Sequence, residues 1–170
     1  MFVVEIDKEQ PPGVATPEVL KLCGVSPSTL ANWIKADLCR PSILGQDGQR
    51  AVRYWSVQDV VTVRTIKALR DAGCSLGTVR KVAAALDAGW NATMADSVLL
   101  WDGRDVLTMD TAGNVVSVIR RTGQSMIRQT VMQLTTFPLG AWVQEAESRA
   151  TPVDVEQIRE QRRRRRQTYG

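Results

Sequence analysis

The sequence predicts an α+β protein: an N-terminal winged helix-turn-helix head, then a small antiparallel β-meander, then a C-terminal helix and tail. Three observations predict it. Four helix-start signals, each with Ser or Thr at the N-cap position, crowd between residues 15 and 90. Four strand-like runs set off by Gly-containing turns follow between residues 97 and 135. A polar, helix-like stretch from Ala141 to Arg166 comes last. The matching division is a leader at 1–14, the head at 15–90, a β-rich region at 97–135 and a polar helix with an Arg-rich tail at 141–170.

The segment Gln10-Pro11-Pro12-Gly13 separates the leader from the first helix. That helix is expected to be capped by Thr16, with Pro17 at its first position and Glu18 next, an arrangement that suits a helix N-terminus. Val19, Leu20 and Leu22 form its apolar side, and Gly24 ends it. Ser26-Pro27 repeats the device two residues later. In the second helix Leu30, Trp33, Ile34 and Leu38 fall on one face. Two short helices joined through Gly24-Val25 make a helix-turn-helix.

Pro41 stops the second helix, and the turn Gly45-Gln46-Asp47-Gly48 lies between Ile43-Leu44 and Val52-Arg53-Tyr54-Trp55. This pattern predicts a short hairpin with a basic arm, a wing. Ser56-x-x-Asp59 opens a third helix as a capping-box variant. Its Val60, Val63, Ile66 and Leu69 recur every three residues, and Gly73 closes it. Ser75 caps a fourth helix carrying Leu76, Val79, Val82, Ala83 and Leu86. Trp33 and Trp55 are expected to pack the core of the head, and Arg64, Lys67, Arg80 and Lys81 to lie on solvated faces. After Gly89-Trp90 the period changes, and Val98–Trp101, Val106–Met109, Val115–Ile119 and Met126–Leu134 read as strands. Turns fall at Asp102-Gly103, Ala112-Gly113-Asn114 and Thr122-Gly123.

Composition narrows the chemistry. The chain contains no histidine, which removes imidazole general bases, Ser-His and Cys-His nucleophiles and His-ligated metals. Cys23, Cys39 and Cys74 are far apart, show no C-x-x-C pairing and read as reduced, buried thiols. Asp102, Asp105 and Asp110 sit around turns, where turn chemistry accounts for them. No catalytic constellation, cofactor or metal site is therefore expected, and the protein is read as a non-enzyme. No apolar run is long enough for a membrane span and the N-terminus lacks signal-peptide character, so a cytoplasmic protein is expected. The net charge of +4 is an average. Residues 16–90 hold ten Lys/Arg against six acids, residues 91–161 hold six against nine, and Arg162–Arg166 add five more positive charges. Basic blocks flanking an acidic middle point toward a polyanionic partner.

Taken together, Thr16-Pro-Glu-Val-Leu, Gly24-Val-Ser-Pro-Ser-Thr-Leu-Ala-Asn-Trp33, Leu38-Cys-Arg-Pro41, Arg53-Tyr-Trp-Ser56, Asp59-Val60 and Leu69-Arg-Asp-Ala-Gly73-Cys-Ser-Leu76 resemble the MerR-type winged helix-turn-helix family. The resemblance covers about residues 15–88. It implies a DNA-binding protein of bacterial or phage origin, associated with the nucleoid, with the second helix in a major groove and the wing on the adjacent backbone. Small polar residues at the start of a recognition helix let backbone and hydroxyl groups approach phosphates and base edges. Ser26, Ser28 and Thr29 meet that need, and Asn32 and Lys35 lie further along the outward face. Asn reads adenine bidentately, whereas Lys meets a phosphate. Arg40, Arg50 and Arg53 on or beside the wing supply phosphate-neutralising charge, with Tyr54 as a further phosphate contact. Thr16 is the candidate for a phosphate at the first helix N-terminus.

The chain departs from the family pattern. Ser28 and Ala31 stand where many members carry Arg, and neither the long dimerisation helix after the fourth helix nor a Cys-rich metal-sensing loop is present. The expected function is a sequence-specific double-stranded DNA-binding transcriptional regulator acting as a homodimer, with the β region joining two chains or receiving a signal. The alternative is a DNA-binding antitoxin whose β region neutralises a partner toxin. The Arg-rich tail reads either as a frayed, non-specific tail or as a groove or phosphate contact.

Overall fold

The fold was obtained as a computed structural model, which describes residues 10–44, 53–89, 97–109, 113, 115–119 and 134–168. The leader before Gln10, the wing turn with Arg50, Trp90, Asp110, the Thr122-Gly123 turn and most of the expected Met126–Leu134 strand lie outside the described residues. The described elements run β1 (Pro12–Ala15), α1 (Thr16–Cys23), α2 (Pro27–Lys35), β2 (Tyr54–Trp55), α3 (Val57–Asp71) and α4 (Leu76–Gly89). There follow β3 (Val98–Trp101), β4 (Val106–Met109), β5 (Val115–Ser117), β6 (Thr135–Pro138), α5 (Leu139–Glu147), β7 (Thr151–Pro152) and α6 (Val155–Thr168).

The helix punctuation follows the expected chemistry, with one correction. Gly24 takes φ 61°, ψ 40° at the end of α1, and its N–H and that of Val25 return to Lys21 and Leu20 carbonyls. Ser26 caps α2, its hydroxyl accepting from Thr29 N–H at 3.1 Å. Ser56 and Asp59 form the full reciprocal capping box on α3. Ser75 accepts from Thr78 N–H at 3.2 Å at the start of α4. Thr16, however, is not a cap: α1 starts at Thr16 itself, with Ala15 in the N-cap position and no side-chain cap bond. The reason is β1, which delivers an extended Ala15 directly into the helix and leaves the Thr16 side chain for another task. The second helix also ends sooner than its apolar spacing suggests. Asp37 adopts φ 54° beyond Lys35, and Leu38 N–H bonds to the Trp33 carbonyl at 2.9 Å, so Leu38 is buried from the turn rather than from the helix.

α3 is the axis of the molecule. Val60, Val61, Val63, Ile66 and Leu69 are all buried, with Thr62 and Thr65 beside them, and Thr65 returns its hydroxyl to the Val61 carbonyl at 2.8 Å. Such burial on several sides exceeds what a one-sided helix shows, because α3 packs against α1, α4, α5, β1 and β2. Val79, Val82, Ala83 and Leu86 of α4 are buried as expected, whereas Leu76, in its first turn, is 46% exposed. Trp55 is wholly buried and Trp33 half-buried against the same core.

Two antiparallel sheets complete the fold. The first has the order β2-β1-β7, with Val14 opposite Trp55 and Gly13 opposite Thr151. Part of the expected leader is thus the central strand of a sheet, and the C-terminal region returns to pair with it. The second sheet has the order β5-β4-β3-β6. β3, β4 and β5 form a meander, and the final strand, Thr135–Pro138, returns to the far side of β3. The stretch from Ala141 onward is two helices rather than one, because Thr151-Pro152 leaves to pair with β1. One buried cluster runs from Val14 and Val19 through α3 to Leu99, Trp101, Val106, Phe137, Leu139 and Ala146. Arg64 is part of that junction and not merely on a solvated face. It pairs with Glu145, and its guanidinium lies 5.1 Å from the Trp142 ring centroid, fastening α5 to α3.

Candidate nucleic-acid interface

The α2 helix presents a short polar stripe to solvent. Ser28, Asn32 and Lys35, spaced by four and three residues, share one face and are exposed together with Ala31. Its opposite side buries Leu30 and half-buries Trp33 and Ile34. At its N-terminus the Ser26 hydroxyl donates to Thr29 Oγ1 at 2.8 Å and lies 3.1 Å from Ser28 Oγ. Three hydroxyls are gathered where the helix dipole is positive and N–H groups of the first turn lack intrahelical partners. Such an end accepts an anion.

A short antiparallel bridge follows this helix in the chain. Leu44 and Tyr54 exchange both backbone bonds, at 3.1 and 3.2 Å, an isolated antiparallel bridge. Arg40 is exposed, while Arg53 and Tyr54 are half-buried. Arg53 is fixed from behind by Thr16, whose N–H and hydroxyl both donate to the Arg53 carbonyl at 3.2 Å. The same hydroxyl accepts from the buried Trp55 indole N–H at 3.0 Å. Thr16 therefore ties the wing strand to α1.

A second tether was not expected from the sequence. Asp59 Oδ2 accepts from Ser56 N–H at 2.8 Å within the capping box, and also from the N–H and hydroxyl of Ser42 at 2.8 and 2.7 Å. One carboxylate oxygen thus holds the entry to the wing against the start of α3. The available signal was Ser42 following Pro41, a small polar residue at a forced turn, but nothing local names its partner. Beside this tether a cleft of about 480 Å³ opens, lined in part by Asp37, Leu38, Arg40, Ser42, Asp59 and Arg80.

The cysteines behave as packing residues. Burial pushes the Cys23 and Cys39 thiols up to about 12, and it also raises Cys74. All three are free and buried. Among the described residues no cluster of three or more Cys, Asp or Glu has the arrangement of a metal site. Asp102 Oδ1 accepts from the N–H groups of Arg104 and Asp105 at 2.8 and 2.7 Å, which is turn chemistry. No helix among the described residues is long and apolar enough to cross a membrane.

Two short helices joined by a turn, followed by a Leu44–Tyr54 bridge whose approach is tied to the start of α3, make a helix-turn-helix head. Residues 15–86 match the family described as MerR HTH family regulatory protein. The chain is also 27% identical over 108 residues to proteins described as uncharacterized HTH-type transcriptional regulators from Mycobacterium bovis and from two strains of Mycobacterium tuberculosis. The match covers 64% of this chain, which spans about half the length of those relatives, 48%.

Proposed function

We propose that the protein is a sequence-specific double-stranded DNA-binding transcriptional regulator, with α2 in the major groove and the wing on the adjacent phosphate backbone. The observation that carries this reading is the exposed Ser28–Asn32–Lys35 face of α2, opening onto the hydroxyl-lined helix start at Ser26 and Thr29. Ser26, Ser28 and Thr29 approach phosphate, Asn32 reads a base edge and Lys35 neutralises a phosphate. Arg40, Arg50, Arg53 and Tyr54 serve the wing side, and Thr16 positions Arg53 from behind. The resemblance to helix-turn-helix regulators supports the same reading.

The test is binding to duplexes selected by the protein from a random pool. Asn32→Ala is expected to cost about 1–3 kcal/mol of discrimination at one base position. Lys35→Ala is expected to weaken all duplexes alike and to reduce the salt slope by about 1. Unchanged binding in an Asn32→Ala, Arg53→Ala double variant overturns the residue assignment.

The self-association surface we propose is the outer face of the second sheet. Val98, Met109 and Val115 form a continuous cross-strand row and are 42, 55 and 38% exposed, with half-buried Leu100 and Leu107 alongside. A second copy covering this row would place two heads on two half-sites. Met109→Glu is then expected to yield monomers by sedimentation and to lower affinity for a two-half-site duplex. If the variant instead stays dimeric and loses only a co-expressed protein partner, the antitoxin reading gains at its expense.

A further inference from the structure

α6 is a 14-residue helix with six arginines, and none of its side chains is buried. A helix of that length without a packed apolar face is marginal in water. Within the helix six arginines stand against two glutamates; Arg159 pairs with Glu156 at 3.0 Å and Arg164 pairs with Glu160. Arg159, Arg162, Arg163 and Arg166 recur at helical spacing and together line an open groove of about 350 Å³. Like charges three and four residues apart repel, each pair by a few tenths of a kcal/mol. The stripe is therefore a surface whose stability rises when an extended anion lies along it.

Its attachment to the body is well defined. Asp154 Oδ1 accepts from Gln157 N–H at 2.8 Å and caps the helix. Val153, just before it, is 2% exposed and donates its N–H to the Pro11 carbonyl at 3.1 Å. β7 then pairs with β1, and β1 with β2, the strand of the wing. The root of the arginine helix is two strand spacings, about 10 Å, from the wing strand.

From this we infer that α6 is a second DNA-contact element, its arginine face taking the phosphate backbone that flanks the wing. The four arginines of the stripe span about 10.5 Å of helix at ~1.5 Å per residue, one charge per ~3.5 Å, which matches the ~3.4 Å between phosphates along one strand of a duplex. α6 lacks the broad apolar face that a membrane-surface helix needs. The placement beside the wing rests on the DNA-binding reading of the head; the affinity of the stripe for duplex phosphates does not.

The experiment compares the full chain with the R159Q/R162Q/R163Q/R166Q variant and with a chain truncated after Glu160. Near-UV circular dichroism checks that each retains the packed core. Affinities are measured across a salt series on a duplex selected by the wild type and on a scrambled duplex of equal length. The slope of log affinity against log salt is expected to fall by about 3–4 on both duplexes, while preference between them is kept. An unchanged slope with retained binding overturns the inference and leaves the function of the head standing. A wild type that prefers neither duplex but shows the arginine-dependent slope overturns the head reading and leaves this one. Binding to neither duplex ends both, and arginine-dependent retention on immobilised polyglutamate without any slope change ends this one in favour of an acidic protein partner.

Discussion

At the scale of single residues, the groups that matter most are those holding others in place. The Thr16 hydroxyl lies between the Arg53 carbonyl and the Trp55 indole, a role invisible to a reading that treats Thr before Pro as a cap. The distinction arises from what precedes Thr16: four residues of strand, Pro12–Ala15, which begin with a Pro-Gly pair that reads as a break. The outward face of α2 was legible, because exposure there follows from the helical period alone. The cysteines were legible too, and they carry a pH consequence. In the unfolded chain a thiol ionises near 8.5, whereas Cys23 and Cys39 are held up to about 12, so the folded state keeps protons that the unfolded state releases. Stability is therefore full below about pH 8.5 and is lost as pH rises toward 12. Thermal unfolding is expected at lower temperature at pH 10 than at pH 8, with a smaller decrease in a Cys39→Ala variant. A thiol reagent at pH 8 is expected to label the three cysteines only after denaturation.

Elements depend on contacts that cross between them. The existence of each helix of the head was readable from local caps and apolar spacing, although the cap of α1 and the end of α2 were not. The Leu44–Tyr54 pairing agrees with the expected flanking runs, but the tether beside it was not readable, since Ser42 and Asp59 are separate in sequence and join only in the fold. Replacing Asp59 by Ala removes the capping box and the wing tether together, and is expected to cost about 1–3 kcal/mol in denaturant unfolding. Asp59→Asn keeps an acceptor oxygen and is expected to recover part of that loss. Affinity for DNA is expected to fall in Asp59→Ala even at temperatures where the chain remains folded. The fourth strand of the second sheet illustrates the opposite problem. Thr135–Pro138 carries the β-favouring Thr-Thr-Phe but is only four residues long and ends in a proline, too short to show an alternation, and its register with β3 buries Phe137 opposite Leu99. Pairing with β3, more than a legible local pattern, fixed the position of that strand.

For the whole molecule, the head and the β-rich region share one buried cluster, and Arg64, Glu145 and Trp142 fasten the second to the first. The pairing of the N-terminal strand with a segment near residue 151 was beyond reach of local pattern, because two short proline-containing runs give no alternation to match. Gly13 is where this closure is tightest. A Cβ there would meet Val153 Cγ2 at 2.7 Å and Ile43 Cδ1 at 3.0 Å, and Val153 is β-branched and stiff. Gly13→Ala is expected to destabilise by about 1–3 kcal/mol in denaturant unfolding. If α6 takes its position from β7, the same variant also loses part of the arginine-dependent salt slope. The closure has a consequence for synthesis. β1 has a partner on one side once the wing is made, but its other edge waits for residues from nearly the opposite end of the chain. Closing so long a loop is slow, and an open strand edge invites pairing with a neighbouring chain. Polypeptides released before Thr151 should therefore aggregate through β1, so that the head closes only once the segment leading into the arginine helix has been made.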